Sequence, residues 1–532
     1  MKNKIIFFLI LVLAAVLRFY QLGSIPSSLN WDEISHGYNA FSLLQTGHDQ
    51  WGVSWPKFNF RAYGDYPTVA NLYLTIPFIS TLGLNAFAIR LPHAIIGLLF
   101  VVFIYFLTFQ ITKNKFIAFS TMFLAAISPW SVFPSRGVFQ SNLSLTFFTA
   151  GLLFIYKSFT KPKFFVLSSL FFGLSLYSYH NTRIITPIIL LIIFVVNFSQ
   201  FKKIFLSHKI ISAFSVAIFL ILFIPNFINL FSAESAARNR WVGIINPASI
   251  NQINESRRTF SGPSTLNRLV NNKVVYFSIT LGKNYLQLFN PLPLFFQGSQ
   301  DNQFNPPQTG LIFFIFLPFF YFGLILLIKK YPSQFIFFLI TLLPAAMTVG
   351  NFPSIRATCA LPFYFLTISL GLNYFYHRFK IIISFVFIIS LIQLGFYINT
   401  YFQYNRNYSS TWQYGYQSTI EYLKPLYPQY AHIIFTKKYG EPHEFVLFYW
   451  PWDPAKYQTD INKKWDFHAD WFWVDAFDKF QFINDWEIRN LQPSASTLLV
   501  TSPDNYPPKN AKIINTVNFL NGQPAFQIVS YE

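Results

Sequence analysis

Eleven long apolar runs dominate this sequence and limit what the chain can fold into. An α-helix needs roughly 20 mostly apolar residues to cross a bilayer, and each run is close to that length. The runs cover residues 4–22, 90–111, 116–134, 141–156, 164–180, 184–199, 210–231, 310–328, 333–349, 357–376 and 380–398. Only 11% of the 532 residues are charged, whereas a soluble domain carries about 25%. The composition therefore excludes a soluble enzyme, a coiled coil and a disordered protein, and it predicts a polytopic helical membrane protein.

The formal net charge of +19 belongs to the part of the chain that holds the apolar runs. Residues 1–398 contain 28 Lys and Arg against 7 Asp and Glu, whereas residues 399–532 contain 11 against 13. The bases lie in short loops and do not form one basic face. This pattern is typical of cytoplasmic loops and argues against a nucleic-acid partner. The single cysteine, Cys359, excludes a disulfide framework and a cysteine-rich metal site.

The segment 68–83 decides the topology, because counting it as a span would reverse the side of every later loop. It is apolar, but it is short and contains Pro77. If it lies along the membrane surface, the cytoplasmic loops carry 14 bases and no acids, and all seven acids fall outside. We therefore predict eleven spans, with the N-terminus inside and the C-terminus outside. A cleaved signal peptide at 1–22 is the alternative, but no small-residue cleavage site precedes Gly23.

The predicted domains are a transmembrane domain, residues 1–398, and an extracytoplasmic tail, residues 399–532. The transmembrane domain includes two outer loops, 23–89 and 232–309, and the stretch 266–289 of the second loop predicts an amphipathic helix on the membrane surface. The tail predicts a small mixed α/β domain. Its helix is expected near 412–425, and its strands at 432–437, 444–449, 496–501, 512–519 and 525–531. The tail holds seven of the twelve Trp, for which core packing is favoured over a sugar-stacking surface.

An acidic pair, Asp32 and Glu33, follows the first span closely. A carboxylate beside an apolar interface is costly unless it is paired or used, and its pKa can rise there. Such a group suits a general base that acts on a hydroxyl. The alternative is a helix start, with Asp32 as the N-cap and Glu33 in the first turn. The residues alone leave these two roles open.

Three arginines depart from the positive-inside pattern, because each stands alone at the predicted outer end of a span. They are Arg136, Arg183 and Arg356, and His180 accompanies Arg183. The guanidinium group pairs bidentately with phosphate oxygens, so these residues are candidate ligands of an anionic group. Interfacial snorkelling or a structural ion pair is the alternative. A carboxylate base opposite a phosphate site would suit transfer of a sugar from a lipid phosphate in the outer leaflet, without a metal.

The sequence resembles the GT-C superfamily of membrane glycosyltransferases, and in particular the bacterial relatives of protein O-mannosyltransferases and of the lipid A aminoarabinose transferase. The stretches that carry the resemblance are LRFYQLGSIPSSLNWDE (17–33), YGDYPTVANLYLTIPFISTLGLNAFAIRLPHAIIGLL (63–99), SPWSVFPSRGVFQSNLSL (128–145) and LVNNKVVYFSITLGKNYLQLFNPLPLFF (269–296). The acidic pair after the first span, combined with G-x-N-x-x-x-x-R-L-P at 83–92, is the most specific feature.

The resemblance implies a GT-C-like fold whose first outer loop lies on the membrane, with Asp32 as the base and Glu33 beside it. It implies an inverting transfer from a polyprenyl-phosphate-linked sugar. Many relatives carry a second Asp where this chain has Gln140 and Asn142, which weakens a two-carboxylate or metal mechanism. The lipid A branch has a lysine where this chain has Asp65 and Tyr66. These four residues and Lys273 are candidate substrate-binding residues, and no cofactor or metal is expected.

The expected partners are a lipid-linked sugar donor, an acceptor protein, glycan or glycolipid, and the membrane. A transporter or flippase for lipid-linked sugars is the alternative, and an inactive glycosyltransferase-like scaffold is a third possibility. The transporter would need ionisable groups or broken helices at the bilayer midplane, and the spans carry almost no charge there. The use of Phe, Ile, Asn and Lys indicates an AT-rich prokaryotic genome, so we expect a multi-pass protein of a prokaryotic plasma membrane.

Overall fold

The computed structural model describes residues 1–64, 66–232, 242–299, 302–350, 352–468 and 471–531. Within these ranges the chain forms two compact units. The first unit, called the helical unit below, contains residues 1–20, 94–135 and 139–398. The second, called the sheet unit, contains residues 21–93, 136–138 and 399–532. The first outer loop, which we predicted to be part of the transmembrane domain, thus belongs to the same compact unit as the C-terminal tail.

Most of the described chain is α-helical. The helices are α1 Lys2–Phe19, α2 Trp31–Thr46, α3 Ala70–Leu82, α4 Ala86–Thr112, α5 Lys115–Ile127, α6 Pro129–Val132, α7 Gln140–Ser158, α8 Phe164–Leu176, α9 His180–Val196, α10 Phe198–Ser207, α11 Lys209–Asn229, α12 Pro247–Thr259, α13 Ser264–Val270, α14 Lys273–Gln287, α15 Leu317–Lys330, α16 Pro332–Ala346, α17 Leu361–Tyr376, α18 Lys380–Asn407, α19 Tyr416–Leu423, α20 Pro442–Tyr449 and α21 Pro454–Thr459. Each of the eleven predicted spans falls mainly on one or two of these helices.

Four helical segments of the described chain are long and apolar enough to cross a membrane: Ala86–Thr112, Lys209–Asn229, Thr358–Tyr376 and Lys380–Asn407. Three further pairs of helices pass the same test together, but they bend at a break by 66° to 119°. Counting each pair as one span gives up to seven. Several apolar helices are therefore confirmed, whereas the number of eleven spans and the sides of the loops stay predictions.

The helical unit is held together by close helix packing. Helix α15 packs on α17, where Gly323 lies directly against the backbone carbonyl of Thr367. A Cβ atom at position 323 would overlap that carbonyl oxygen, so only glycine allows this approach. Helix α7 packs on α8, and α8 packs on α11. Small residues at such contacts are typical of helices that associate within a membrane.

The two segments that we predicted to be interfacial helices are helical. Helix α3 has 13 residues and is therefore about 20 Å long, which is less than the roughly 30 Å of a hydrocarbon core. The stretch 266–289 was predicted to be one helix, and this is wrong. It contains two helices, α13 and α14, because the Asn272 side chain accepts hydrogen bonds from the amides of Val274 and Val275 and so starts a new helix.

The tail forms a seven-stranded mixed sheet with the order β2-β3-β4-β1-β5-β7-β6. The strands are β1 His432–Thr436, β2 Lys464–His468, β3 Trp471–Phe477, β4 Phe480–Ile483, β5 Thr497–Thr501, β6 Ala511–Asn518 and β7 Pro524–Tyr531. Strand β1 is central and runs parallel to both β4 and β5, and the other pairs are antiparallel. The predicted mixed α/β tail is confirmed.

One strand of the tail was predicted wrongly, and three were missed. Residues 444–449 form the end of helix α20, which begins at Pro442, and every residue from Pro442 to Phe448 is buried. A short run that is apolar on all sides cannot be assigned to strand or helix by periodicity. The missed strands are β2, β3 and β4. The first part of strand β3 shows the alternating burial of a half-buried strand, because Phe472 and Val474 are buried and Trp471 and Trp473 are less so.

A single hydrophobic core joins the first loop to the sheet. Ile34 and Tyr38 of α2 and Leu72 of α3 share this core with Phe445 of α20 and Phe480 of β4, and all of these side chains are completely or almost completely buried. Burying one such side chain contributes about 1.5–3 kcal/mol relative to leaving it exposed. The start of α2, which carries the acidic pair, is therefore fixed to the tail domain.

Candidate active site

The acidic pair lies in the first turn of α2, and Asn30 precedes that turn as the N-cap. The Asn30 side chain accepts a hydrogen bond from the Glu33 amide at 2.9 Å, and the Glu33 carboxylate accepts one from the Asn30 amide at 3.2 Å. This is a capping box, which satisfies two backbone amides that the helix leaves without partners. The N-cap role that we considered for Asp32 is wrong, because Asn30 has it, whereas Glu33 does lie in the first turn.

Glu33 also forms a buried ion pair with Arg90 of α4. The Arg90 Nε and Nη2 atoms lie 2.9 Å and 2.8 Å from the two carboxylate oxygens of Glu33, and both side chains are at most 1% exposed. The Val138 amide donates a further hydrogen bond to Glu33 at 3.2 Å. The remaining Arg90 donors bind the carbonyls of the 22–28 segment, including Pro26 at 2.9 Å. The carboxylate of Glu33 therefore orients the start of α2.

Asp32, unlike Glu33, is exposed. Its hydrogen-bond partner Tyr63 is almost fully buried. The Tyr63 hydroxyl donates a short hydrogen bond to Asp32 Oδ1. Burial, and then the nearby charge of Asp32, raises the pKa of Tyr63 well above its ordinary value, so the hydroxyl keeps its proton and remains a donor. The ring of His36 contacts the Asp32 carbonyl oxygen through Nδ1 at 2.7 Å, which places the Nδ1 hydrogen on that side.

Two further candidates of the sheet unit are Arg136 and Tyr66, and Asp65 lies outside the described residues. Arg136 ends a short 3₁₀ helix, Phe133–Arg136, and is 4% exposed. Its Nη2 donates to the Ile25 carbonyl at 2.9 Å, and its Nε donates to the Tyr401 hydroxyl at 3.3 Å. Tyr66 is partly buried and packs edge-on against the ring of Phe472. Arg136 is thus held over the 22–28 segment that Arg90 also binds.

The other three basic candidates belong to the helical unit, and two of them lie at the start of α9. His180 is the first residue of the helix, and its Nδ1 lies 3.3 Å from Arg183 Nη1. Arg183 is 3% exposed, and its Nε donates to the Leu176 carbonyl at 3.2 Å. Asn181 donates a hydrogen bond to the backbone carbonyl of Arg356, which links the two loops. The side chains of His180 and Arg183 are therefore adjacent, and the backbone of Arg356 is joined to the same helix start, while the Arg356 Nη1 donates to the Val349 carbonyl at 3.4 Å.

The remaining candidates of the helical unit lie on two other helices. Gln140 is the first residue of α7, and Asn142, which is 2% exposed, lies two residues further on. Lys273 is the exposed first residue of α14. Within the described ranges, no group of three or more His, Cys, Asp and Glu side chains is arranged to hold a metal ion.

Sequence reasoning missed two residues that contact the acidic pair, Arg90 and Tyr63. Arg90 was part of the G-x-N-x-x-x-x-R-L-P pattern, but it was not treated as a partner of Glu33. Its signal is a single arginine within an otherwise apolar helix, which has to be paired or used. No sequence signal distinguishes Tyr63 from the other 29 tyrosines, because its contact with Asp32 depends on the folding of the loop.

The model of the dolichyl-phosphate-mannose-protein mannosyltransferase family matches residues 66–228, which is less than half of the chain. No curated protein sequence matches the chain significantly. Among solved structures, ArnT from Cupriavidus metallidurans in the apo state matches 98% of this chain and 97% of its own, with a TM-score of 0.52 and 11% identity.

Two further solved structures are similar over a smaller part. The oligosaccharyltransferase AglB from Archaeoglobus fulgidus, in complex with an inhibitory peptide and a dolichol-phosphate, has a TM-score of 0.49 and 12% identity over 84% of this chain. This chain spans 64% of the AglB chain. The Pmt1-Pmt2 complex of S. cerevisiae, bound to the sugar donor, has a TM-score of 0.33 and 18% identity over 49% of this chain and 37% of that chain. The family match and the likeness to ArnT confirm the resemblance to GT-C glycosyltransferases. The likeness to ArnT also shows that the two chains share a fold.

Proposed function

We propose that this chain is an inverting glycosyltransferase that moves a sugar from a polyprenyl-phosphate-linked donor to an acceptor hydroxyl on the outer face of a prokaryotic plasma membrane. The observation that carries the proposal is the contrast within the acidic pair. Glu33 is buried and bound to Arg90, whereas Asp32 is exposed and is oriented by Tyr63. The match to a mannosyltransferase family and the ArnT-like fold support the same chemistry.

In the proposed reaction, Asp32 removes the proton of the acceptor hydroxyl. The acceptor oxygen then forms a bond to the anomeric carbon, the bond from that carbon to the phosphate oxygen breaks, and the polyprenyl phosphate leaves with the electron pair. Attack from the face opposite the leaving group inverts the anomeric centre. A carboxylate acting as a general base typically contributes a factor of about 10²–10⁴ to the rate.

The arginines are proposed to stabilise the charge that develops on the departing phosphate. A guanidinium group offers two parallel donors to phosphate oxygens, and it is always protonated. Arg183, with His180 beside it, and Arg356 are the proposed phosphate ligands of the helical unit, and Arg136 is that of the sheet unit. Asp65, Tyr66, Gln140, Asn142 and Lys273 remain proposed substrate contacts. The transferred sugar, a hexose or a pentose, and the acceptor remain open in this proposal.

The test is sugar transfer by the purified protein in nanodiscs. A panel of radiolabelled polyprenyl-phosphate hexoses and pentoses is offered with a chelator present, beside the Asp32→Asn variant. Consumption of one donor by the wild type and not by the variant supports the proposal, including its independence from a metal. If neither protein consumes any donor but the wild type, reconstituted into sealed liposomes, moves labelled lipid across the bilayer, the protein is a flippase and the proposal is wrong.

A further inference from the structure

The loop that carries Tyr63 is fastened to the first residues of strand β3. The Phe472 amide donates a hydrogen bond to the Tyr63 carbonyl oxygen at 2.7 Å. The rings of Tyr63 and Trp471 are stacked, with centroids 5.2 Å apart and an interplanar angle of 29°. A Cβ atom at Gly64 would overlap the Trp471 indole, so glycine at position 64 is what lets the indole lie over the loop. One hydrogen bond and one stacking contact therefore join the Tyr63 loop to β3, and the Tyr63 ring also contacts Trp31 of α2.

The indole N–H of Trp471 also has a hydrogen-bond partner. Its Nε1 donates a hydrogen bond to Glu441 Oε1 at 2.6 Å, and the Glu441 side chain is almost fully buried just before α20. An indole that is stacked on one ring and bonded through its N–H has little freedom to rotate. A continuous series of contacts thus runs from Glu441 through Trp471 and Tyr63 to Asp32, and all four residues belong to the sheet unit.

The exposed side chain of Asp32 needs such a restraint if it is a base. An exposed carboxylate samples several rotamers, and fixing one of them costs conformational entropy at the moment of reaction. A displacement of about 1 Å at a reacting group can lower the rate by about 100-fold. The Tyr63 hydroxyl selects one orientation of Asp32, and Trp471 fixes the position of the Tyr63 ring.

We infer that the C-terminal sheet completes the catalytic site, with Trp471 as a positioning residue that acts on Asp32 through Tyr63. The inference rests on the proposed function, because it assigns Asp32 the role of the base. It goes further by giving the tail a part in the chemical step, which the proposed function does not include. Damage to this contact should lower kcat and leave the KM for the donor nearly unchanged, because the donor phosphate is assigned to other residues.

The experiment compares four variants of the full-length protein in nanodiscs: Trp471→Ala, Trp471→Phe, Tyr63→Phe and Gly64→Ala. Trp486→Ala is the matched control, because Trp486 is in the same domain and its side chain is 76% exposed. We expect kcat to fall by about 10- to 100-fold in Trp471→Ala and Gly64→Ala, with donor KM within about threefold. Trp471→Phe should recover part of this loss, because it keeps an aromatic ring that can stack on Tyr63, although that ring is smaller and has no N–H donor.

Two further readouts separate positioning from general damage. Tyr63→Phe removes a hydrogen bond to the carboxylate, which favours the protonated acid, so the acidic limb of the kcat/KM–pH profile should move to higher pH. Hydrogen exchange at the Phe472 amide should become faster in Trp471→Ala and Gly64→Ala than in Trp486→Ala. An active wild type with unchanged kcat in Trp471→Ala and Gly64→Ala would overturn the inference, and so would an unshifted profile in Tyr63→Phe.

If the proposed function is wrong, the experiment gives a result that differs from failure of the inference alone. The wild type then transfers no sugar from any donor, and the hydrogen exchange of the Phe472 amide still reports on the contact. Faster exchange in Trp471→Ala supports the contact between β3 and the loop without a catalytic part. Unchanged exchange overturns the contact as well.

Discussion

Arg90 and Glu33 form a bidentate ion pair in which both side chains are at most 1% exposed. The pair joins helix α4 to the first turn of α2, at the residue next to the proposed base. Charges that are buried this completely are stabilising only while both partners are present, because each has lost its hydration. The position of the helix start that carries Asp32 therefore depends on an ion pair in which loss of either charge would be strongly destabilising.

The first prediction concerns this ion pair. Glu33→Gln should lower the free energy of unfolding by about 3–5 kcal/mol, because it leaves the Arg90 guanidinium buried without a counter-charge. The measurement is chemical unfolding in detergent. The matched control is Lys438→Gln, which breaks a partly exposed pair with Asp485 and should cost at most about 1 kcal/mol. A loss for Glu33→Gln no larger than that of the control would contradict the prediction.

A second prediction follows from the proposed role of Asp32. Asp32→Asn should lower kcat by at least about 100-fold, because the amide cannot accept the acceptor proton, while donor affinity changes little. Transfer and donor binding are measured on the same preparation. Glu255→Gln serves as the control, since Glu255 is an exposed acid on α12. If the Asn variant keeps more than a few per cent of the activity, Asp32 is not the base.

The third prediction concerns the proposed phosphate ligands Arg183 and Arg356. Hydrogen bonds to charged groups contribute about 1.5–3 kcal/mol, so Arg183→Ala or Arg356→Ala should weaken donor binding by about 10- to 150-fold. The Lys variants should recover only part of this, because lysine lacks the planar fork. Donor affinity is measured by equilibrium binding of a labelled polyprenyl phosphate, with the exposed Lys283→Ala as the control. Unchanged affinity in both Ala variants would exclude the phosphate site.

The elements that were predictable are those whose signal is local. The apolar runs gave the helices of the helical unit, because their length and lack of charge are visible in any window of the sequence. A helix start at the acidic pair was one of the two roles that the residues left open, and the alternative that made Asp32 the N-cap is wrong because Asn30 has that role. The tail strands β1, β5, β6 and β7 were found because each is a short apolar run bounded by turn residues.

What the sequence could not reveal are contacts between residues that are far apart in the chain. Glu33 and Arg90 are separated by 57 positions, and the loop around Tyr63 meets a strand about 400 positions later. Periodicity reports which face of an element is buried, and it does not report which partner covers that face. The aromatic cluster at 471–474 illustrates this, since Trp471 stacks on Tyr63 of the first loop and Phe472 faces Arg61.

The last prediction concerns Glu441, whose carboxylate holds Trp471. Burial raises the pKa of Glu441 above its ordinary value, and nearby His443, Trp471 and Lys437 reduce this rise without cancelling it. The folded protein therefore binds this proton more tightly than the unfolded chain, so this group stabilises the fold less as the pH rises above the ordinary Glu value of about 4.3.

Glu441→Gln should remove this pH-dependent loss, because Gln carries no charge and can still accept the Trp471 hydrogen bond. Relative to the wild type, the variant should be more stable at pH 7, and the two should converge as the pH falls below about 4.3. Thermal unfolding midpoints across this range provide the measurement. Glu487→Gln, an exposed carboxylate of the same domain, should show no such change. The prediction is wrong if the stability difference between Glu441→Gln and the wild type does not grow with pH. The ionised carboxylate would then be as stable in the folded protein as in the unfolded chain.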